Sequence, residues 1–295
     1  MLIGKIILKY LPFGYYRKIR NSYRVLIKWF YKPLSENDFR NILIEKLGIG
    51  SGDVVFVHSS VDKLNLSFNP FRVLLILQEI VGPDGTLLFP SWHFTERAEE
   101  YLRSGRIFDV KKSPSSLGLI SELARRLPEA RRSLHPTNSI TAIGKYADFL
   151  LEDHGSSIYP CDESSPFYKM LALNAKIIGI GVSVEFLSFV HCPEDVLKSK
   201  FPFKTRSSEV FSALVKDTDG RLIEIKTLAA DKSIVKRNIP WFIKRFIPNH
   251  IAQEFTVRKN NFFRADSKLL FEELKKQAAQ GNTIYSKRKV HSVHQ

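Results

Sequence analysis

The sequence predicts an α/β fold in which helices cover a largely parallel sheet. Continuous apolar runs rich in β-branched residues span 53–58, 86–90 and 176–182, a composition typical of strands buried on both faces. Between the first two runs lie a helical stretch at 70–81 and the turn sequence GPDG at 82–85. Such alternation of strands and helices is typical of βαβ units, so we expect these strands to be parallel.

The remaining elements follow from caps, periodicity and turn residues. Ser35 and Asp38 predict a capping box that opens a helix ending near residue 47. The sequence DTDG at 217–220 predicts the turn of a hairpin over 210–228. Residues 91–112 are polar and charged, and they predict an excursion from the regular alternation. The other predicted elements are helices over 119–127, 146–153, 166–173 and 267–279 and a strand over 138–144.

The chain carries an excess of positive charge that indicates an anionic partner. It has 45 Lys and Arg against 30 Asp and Glu, a formal net charge of +15 over 295 residues. Nucleic acid, phospholipid and phosphorylated small molecules are the partner classes that this balance favours. The two cysteines, Cys161 and Cys192, offer neither a disulfide framework nor a zinc-ligand spacing, so we expect a cytoplasmic location and no metal.

A basic, aromatic segment at 1–33 precedes the globular domain, which we place at 34–285; a second basic tail covers 286–295. Amphipathic segments of this kind predict interfacial helices on an anionic surface, here the inner face of a membrane. A helical arm packed on its own domain or on a second subunit fits the same pattern. The first acidic residue is Glu36, after the basic residues Lys5, Lys9, Arg17, Lys18, Arg20, Arg24, Lys28 and Lys32.

The sequence FVHCPED at 189–195 follows the apolar run at 176–182 and places His191 three residues before Glu194. If a helix begins near Pro193, both side chains lie in its first turn and can pair. A carboxylate that holds an imidazole fixes its tautomer and supports general-base catalysis. Alternatively, His191 caps the helix and Glu194 complements its dipole; the spacing by itself leaves both interpretations open.

Two further polar groups lie where ligands collect in α/β proteins. His58, Ser59 and Ser60 stand at the carboxyl end of the first buried strand. Residues 113–118, SPSSLG, precede a predicted helix whose free N–H groups suit a phosphate. Without a lysine-bearing phosphate loop, this second pattern is unspecific by itself.

Six short blocks occur in order along the chain. They are GDVVFVHSS at 52–60, GTLLFP at 85–90, PSSLG at 114–118 with Glu122, RSLHP at 132–136 with Ser139, Ala142 and Gly144, ESSP at 163–166, and HCPE at 191–194. In this order they resemble the aminoglycoside 3-N-acetyltransferase family of antibiotic N-acetyltransferases. The resemblance covers roughly residues 34–200 and the helix near Leu269, whereas residues 1–33 have no counterpart in it.

The resemblance implies a three-layer α/β/α fold, unlike that of GNAT acetyltransferases, and a direct acetyl-CoA-dependent transfer to a sugar amine. It implies that His191 takes a proton from the amine, that Glu194 orients His191, and that Ser188 donates to the thioester oxygen. A thiol nucleophile at Cys192 is disfavoured, because the side chains of adjacent residues point apart. The residues implied along the acetyl-CoA path are His58, Ser59, Ser60, Ser113, Ser115 and Ser116, with Arg131 or Arg132 on a phosphate.

Three residues are candidates for contact with the acceptor. His135 either touches the acceptor or holds a loop, and the pattern leaves both roles open. Asp162 and Glu163 either attract an ammonium group of the acceptor or satisfy the N–H groups of a turn.

Two departures from the family pattern bear on the acceptor. The charge of +15 would repel a polycation, and residues 62–69 replace a glycine-rich segment expected after residue 60. We therefore predict an amino sugar carried on a nucleotide or a lipid phosphate, as in surface-polysaccharide synthesis. An aminoglycoside antibiotic is the alternative acceptor. A non-catalytic protein that binds nucleic acid or CoA is the alternative from another class, although the sequence has no recognised nucleic-acid motif; the oligomeric state is left open.

Overall fold

The computed structural model describes residues 30–234 and 236–285. The predicted segment at 1–33 lies almost entirely outside the described residues, and the tail at 286–295 lies wholly outside them. The domain boundaries at residues 34 and 285 therefore stay predictions. Among the described helices, none combines the length and the apolar character needed to cross a bilayer.

The predicted helices and strands occur in the expected order, together with elements that the sequence did not predict. Helices α1 to α9 span Glu36–Asn41, Arg72–Val81, Ala98–Arg103, Leu119–Arg126, Ala147–Leu151, Pro166–Lys169, Cys192–Leu197, Ile239–Phe246 and Ser267–Ala279. Strands β1 to β10 span Val54–Ser59, Thr86–Pro90, Phe108–Asp109, Arg131–Arg132, Ile140–Gly144, Lys176–Ile180, Arg206–Lys216, Leu222–Ala230, Ala252–Val257 and Asn260–Asp266. The capping box of α1 is confirmed, since Ser35 Oγ accepts from Asp38 N at 3.1 Å and Asp38 Oδ2 accepts from Ser35 N at 3.0 Å.

Seven strands form the central sheet in the order β4-β5-β2-β1-β6-β10-β9. Strand β1 lies parallel to β2 and to β6, which confirms the α/β class and the predicted βαβ alternation. The flanking strands β5, β4, β10 and β9 pair antiparallel. The parallel part of the sheet is therefore its centre, where the carboxyl ends of β2, β1 and β6 lie side by side.

Two apolar clusters on opposite faces of this sheet make the fold three-layered. In β1, Val54 and Phe56 belong to one cluster and Val55 and Val57 to the other, because successive side chains of a strand point to opposite faces. Helices α5, α7, α8 and α9 pack in the first cluster, and α1, α2 and α4 pack in the second. The α/β/α architecture implied by the resemblance is confirmed.

A smaller sheet, with the order β3-β7-β8, lies beside the central one. Strands β7 and β8 form the predicted antiparallel hairpin, and its turn contains Gly220 at a φ of 86°, which glycine adopts without steric penalty. The predicted excursion at 91–112 packs on this hairpin. The rings of Phe94 and Tyr101 stack with centroids 4.6 Å apart and share a small core with Phe211.

The sequence did not predict the hairpin of β9 and β10. Its turn residues, Arg258 and Lys259, have φ values of 46° and 65°, a conformation usually marked by Gly or Asn. Strand β10 pairs with β6 through Phe263, which lies opposite Gly179. A Cβ on Gly179 would lie 2.1 Å from the Phe263 ring. The packing of β10 on β6 therefore requires a glycine at this position.

Candidate active site

The adjoining carboxyl ends of β1 and β6 position the site. Ser60 N donates to Ile180 O at 2.9 Å, and the chain then turns at Gly181, whose φ is 71°. A Cβ at Gly181 would lie 2.5 Å from the carbonyl oxygen of Ser60, so a larger side chain does not fit there. Two 3₁₀ turns, Val184–Phe186 and Ser188–His191, then lead into α7 and bring the HCPE motif to this end of the sheet.

His191 and Glu194 pair, as their spacing predicts. Nδ1 of His191 lies 2.9 Å from Oε2 of Glu194, and the two side chains are 19% and 3% exposed. An ionised carboxylate only accepts hydrogen bonds, so the shared proton belongs to Nδ1 and Nε2 presents a lone pair. Pro193 lies in the first turn of α7, where its fixed backbone angle suits a helix start. The imidazole is thus held in the tautomer that can accept a proton at Nε2.

Tyr285 supports Glu194 from the end of the described chain. Its hydroxyl lies 2.9 Å from Oε1 and 3.0 Å from Oε2 of the carboxylate, and its ring stacks on Phe203 at 4.6 Å. Burial and the neighbouring Glu194 carboxylate raise the pKa of Tyr285 well above its ordinary value, so the phenol stays a donor. No local sequence pattern indicated Tyr285, because 91 residues separate it from its partner.

Asp195, the neighbour of Glu194, has a different set of partners. Its carboxylate receives two bonds from Arg206, each of 2.6 Å, and a third from the backbone N–H of Cys161 at 2.9 Å. Burial works against the charge of Arg206, but the Asp195 carboxylate more than offsets it, so the pKa of Arg206 lies above its ordinary value. This buried pair ties α7 to β7 and fixes the helix that carries Glu194.

Arg237 reaches the other nitrogen of the imidazole. Its Nη1 lies 3.0 Å from Nε2 of His191, and the arginine itself is exposed. A bridge between Arg237 and Tyr285 brings this segment to the site. The sequence marked residues 232–247 only as basic and aromatic, so this contact was missed.

Three polar side chains at the strand ends lack hydrogen-bond partners among the described residues. They are Ser188 Oγ, Ser59 Oγ and His58 Nε2, all buried atoms. Burial lowers the pKa of His58 to about 3, so its ring is neutral. Ser60 differs, since its hydroxyl donates to Asp62 at 2.5 Å. Buried polar atoms without partners are uncommon in folded proteins; these three belong to residues predicted to be functional, whereas others, such as those of His93 and Ser267, belong to residues outside that set.

The predicted phosphate loop lies at the same end of the sheet, but its serine hydroxyls already form hydrogen bonds with nearby backbone groups. Gly118 lies against β1, since a Cβ there would be 3.6 Å from Ser59 O. Ser113 Oγ accepts from Asp109 N at 3.0 Å, Ser115 Oγ accepts from Leu117 N at 3.2 Å, and Ser116 Oγ lies 2.8 Å from Phe94 O and 3.0 Å from Trp92 O.

Arg132 does not lie where we expected a phosphate partner. Its buried guanidinium donates to Ser113 O at 2.5 Å and to Ser91 O, and it lies over the Phe108 ring at 4.6 Å. Burial lowers the pKa of Arg132 to about 9. Arg132 thus joins the loop to the sheet, because its two terminal nitrogens donate to backbone carbonyls, whereas its Nε has no partner among the described residues.

The three candidates for acceptor contact fall into two groups. His135 is fully buried, with Nδ1 accepting from Asn138 N at 3.1 Å and Nε2 lying 3.2 Å from Thr227 Oγ1. Asp162 is buried and accepts from Ser164 N at 3.1 Å. His135 thus has the contacts of a residue that holds a loop, and Asp162 those of a residue that satisfies the N–H groups of a turn. Glu163 is exposed and lies 3.8 Å from Lys198.

The cysteines are free and buried. Burial raises the pKa of both the Cys161 and the Cys192 thiols well above the ordinary value, which opposes formation of a nucleophilic thiolate. Within residues 30–234 and 236–285, no cluster of His, Cys, Asp and Glu could hold a metal ion.

Fold and site together define an α/β/α protein with an imidazole–carboxylate pair at the ends of its parallel strands. The sequence model of the family described as aminoglycoside 3-N-acetyltransferase matches residues 56–278. The chain therefore belongs to this family, and the resemblance drawn from the six sequence blocks is confirmed.

The sequence identity to individual relatives is below 30%. Aminoglycoside N(3)-acetyltransferase III of Salmonella sp is 29% identical over 167 residues, which cover 52% of this chain and 58% of that relative. The chain thus spans little more than half the length of this curated relative. The solved structure of aminoglycoside acetyltransferase AAC(3)-Xa superposes with a TM-score of 0.72 at 21% identity, over 89% of this chain and 98% of that one. The AAC-IIIb binary complex with CoASH gives 0.69 at 19% identity, over 87% and 100%. At such identities the structures establish the shared fold.

Proposed function

We propose that this protein is an acetyl-CoA-dependent N-acetyltransferase that acts on the amine of an amino sugar. The observation that carries the proposal is the His191–Glu194 pair, with Nδ1 bound to a buried carboxylate and Nε2 able to accept a proton. A sugar amine is largely protonated near neutral pH, and it becomes a nucleophile only after it loses a proton. Family membership and a structural neighbour solved with CoASH support the choice of donor.

The proposed transfer balances between the two substrates and His191. Acetyl-CoA supplies an acetyl thioester; the amine nitrogen forms a bond to its carbonyl carbon, and the carbon–sulfur bond breaks. The ammonium form of the acceptor first releases one proton to solvent, and Nε2 of His191 then takes a second proton from the nitrogen as it attacks, while the Glu194 carboxylate supports the charge on the imidazolium. The imidazolium gives this proton to the departing sulfur, so the products are the N-acetyl sugar and free CoA thiol.

Ser188 is the proposed donor to the thioester oxygen. Its buried hydroxyl is unbonded among the described residues and lies three residues before His191, and a donor placed where negative charge develops favours the reaction. The unbonded Ser59 Oγ and His58 Nε2 fit the amide groups of the pantetheine arm. Ser60 and the loop of Ser113, Ser115 and Ser116 complete the proposed path, and Arg132 contributes by holding that loop.

An aminoglycoside-type amine is the acceptor that the comparisons favour. The family description and the curated relative both carry the word aminoglycoside, whereas a nucleotide- or lipid-linked sugar, polysaccharide synthesis and membrane association have no support among them. Of the positions predicted to contact the acceptor, Glu163 is the exposed one. We therefore assign it, rather than the buried His135 or Asp162, to an ammonium group of the acceptor.

The test is an acceptor screen with the full chain and acetyl-CoA. We expect thiol release and the mass gain of one acetyl group for gentamicin and for simple amino sugars, and none for N-acetylglucosamine, whose amine is blocked. Calorimetry of CoA binding identifies the rival functions. CoA binding without transfer to any amine would indicate a non-catalytic binder, and salt-dependent retention of DNA without CoA binding would indicate a nucleic-acid protein. Either result would overturn the proposal.

A further inference from the structure

The guanidinium of Arg237 contacts Nε2 of His191, the nitrogen that must accept the proton. Arg237 Nη1 lies 3.0 Å from Nε2 of His191, and a guanidinium has donors but no acceptor. The acceptor amine has to approach this same nitrogen to within hydrogen-bond distance before it can be deprotonated. Arg237 therefore has to leave Nε2 whenever a substrate is bound productively.

The backbone of Arg237 is fixed while its side chain is exposed. Besides the bridge to Tyr285, the next residue donates from Asn238 N to Ile284 O at 2.8 Å. The Asn238 side chain also accepts from Trp241 N at 3.2 Å and caps α8. Within the described part of the chain, Arg237 forms no ion pair with a carboxylate, unlike the buried Arg206. Its remaining N–H groups are thus available to a ligand.

Neither carboxylate of α7 is free to balance the charge of Arg237 at the proton-accepting nitrogen. Glu194 is 3% exposed and its oxygens are bonded to His191 and Tyr285, and Asp195 is bonded to Arg206. These are the carboxylates of α7, and both are already used. An ammonium group that approaches Nε2 consequently meets Arg237 without a compensating free carboxylate from α7, which is unfavourable at such short range.

We propose that Arg237 determines acceptor specificity by binding a carboxylate or phosphate carried close to the reacting amine. This inference rests on the proposed acetyl transfer and ranks the acceptors within it. An anionic group pairs with the planar guanidinium through two parallel bonds and so draws Arg237 off His191 while it positions the amine. A polycation offers no such pairing and is repelled. The comparisons favour an aminoglycoside-type amine for the family, and Arg237 is the feature of this chain that would rank an amine with an anionic neighbour above a gentamicin-like polycation among its acceptors.

The test compares four acceptors that differ in charge beside the amine. Glucosamine is the reference, glucosamine 6-phosphate adds a phosphate, muramic acid adds a carboxylate near the amine, and gentamicin is a polycation. Arg237→Gln removes the guanidinium charge, and Arg237→Lys keeps a charge without the planar fork. Lys236→Gln is the matched control, because it removes an exposed charge from the adjacent residue.

We expect Arg237→Gln to lower kcat/KM for the anionic acceptors about tenfold or more relative to glucosamine and to raise it for gentamicin. Arg237→Lys is expected to lie between wild type and Gln, and Lys236→Gln to leave the ratios unchanged. The KM for acetyl-CoA and the thermal unfolding midpoint should not move, since Arg237 is exposed. Loss with only one anionic acceptor identifies carboxylate or phosphate as the ligand.

Unchanged acceptor ratios, or an equal loss with all four acceptors, would overturn the inference. If wild type acetylates none of them, binding of the same acceptors in the presence of CoA is measured by calorimetry. Weaker binding of the anionic acceptors to Arg237→Gln would then support the inference although the proposed reaction had failed. Equal binding by both proteins would overturn it.

Discussion

The buried histidines His135 and His154 and the partly exposed His191 differ in what their ring nitrogens contact. His135 and His154 stack with centroids 4.8 Å apart, and their ring nitrogens lie beside neutral partners such as Thr227 Oγ1 and Pro160 O. His191 instead has a carboxylate on one nitrogen and an exposed arginine on the other. Burial alone therefore does not suit a histidine of this fold to proton transfer. One ring nitrogen must also be able to lose its protein partner and contact a substrate, as Nε2 of His191 can when Arg237 moves away.

The largest effect is expected from the carboxylate of the His191 group. Glu194→Gln removes the charge that supports the imidazolium, so we expect kcat to fall about 100-fold or more, with the fold retained. The matched variant in the other group is Thr227→Val, which removes the partner of His135 Nε2. It is expected to leave kcat nearly unchanged and to lower the free energy of unfolding by about 1–3 kcal/mol. Equal losses of kcat in both variants would contradict the contrast.

We expect the free energy of unfolding to fall at acid pH, because the buried histidines are neutral in the folded chain. Burial lowers the pKa of His58 to about 3 and that of His154 to about 4, and it lowers the pKa of His135 well below its ordinary value. Below pH 6.5 the unfolded chain therefore binds protons that the folded chain does not, and stability falls. From pH 7.5 to 5.5 we expect a loss of about 1.3 kcal/mol for each histidine.

Urea unfolding at the two pH values measures this loss. Glu122, whose pKa is lowered to about 2 chiefly by its bond to Arg125, titrates in a different window. Its stabilisation is present above pH 4.5 and is lost as the pH falls towards 2, so it does not contribute between pH 7.5 and 5.5. His154→Gln is expected to reduce the pH-dependent loss by about 1.3 kcal/mol. A free energy of unfolding that does not change over this range would show that the histidines are not held neutral.

Adjacent carboxylates of α7 provide a third comparison. Asp195→Asn leaves the buried Arg206 without its charged partner, and we expect the free energy of unfolding to fall by about 3 kcal/mol. Glu194→Gln should be the less destabilising of the two, because it leaves no cation unpaired. Denaturant unfolding of both variants at pH 7.5 checks this order, and the reverse order would contradict the roles assigned to the two residues.

The smallest effect is expected from Tyr285→Phe. It removes the hydroxyl that donates to Glu194 but leaves the ring on Phe203, so we expect a fall in kcat of about tenfold and little change in the KM for acetyl-CoA. Steady-state kinetics measures both quantities. A change in KM alone would mean that Tyr285 acts on acetyl-CoA binding and not through Glu194.

Local signals predicted the parts of the molecule that are local in sequence. His191 and Glu194 were found because they lie within one helical turn, and β1, β2 and β6 because buried parallel strands are continuous apolar runs. Tyr285 and Arg237 were missed, since they reach His191 and Glu194 only through pairing between distant segments. Arg132 shows the converse: its type suggests a phosphate ligand, but burial under backbone carbonyls directs it elsewhere.

The role of His191 as the base is tested most directly by the single-turnover rate of His191→Ala. This rate is measured with saturating acetyl-CoA and an acceptor from the screen. We expect this rate to fall about 100-fold or more while the affinity for CoA is unchanged, because His191 serves proton transfer. His250→Ala, which removes an exposed histidine, is the matched control and should react at the wild-type rate. A His191→Ala protein that retains the wild-type rate would show that His191 is not the base of the transfer.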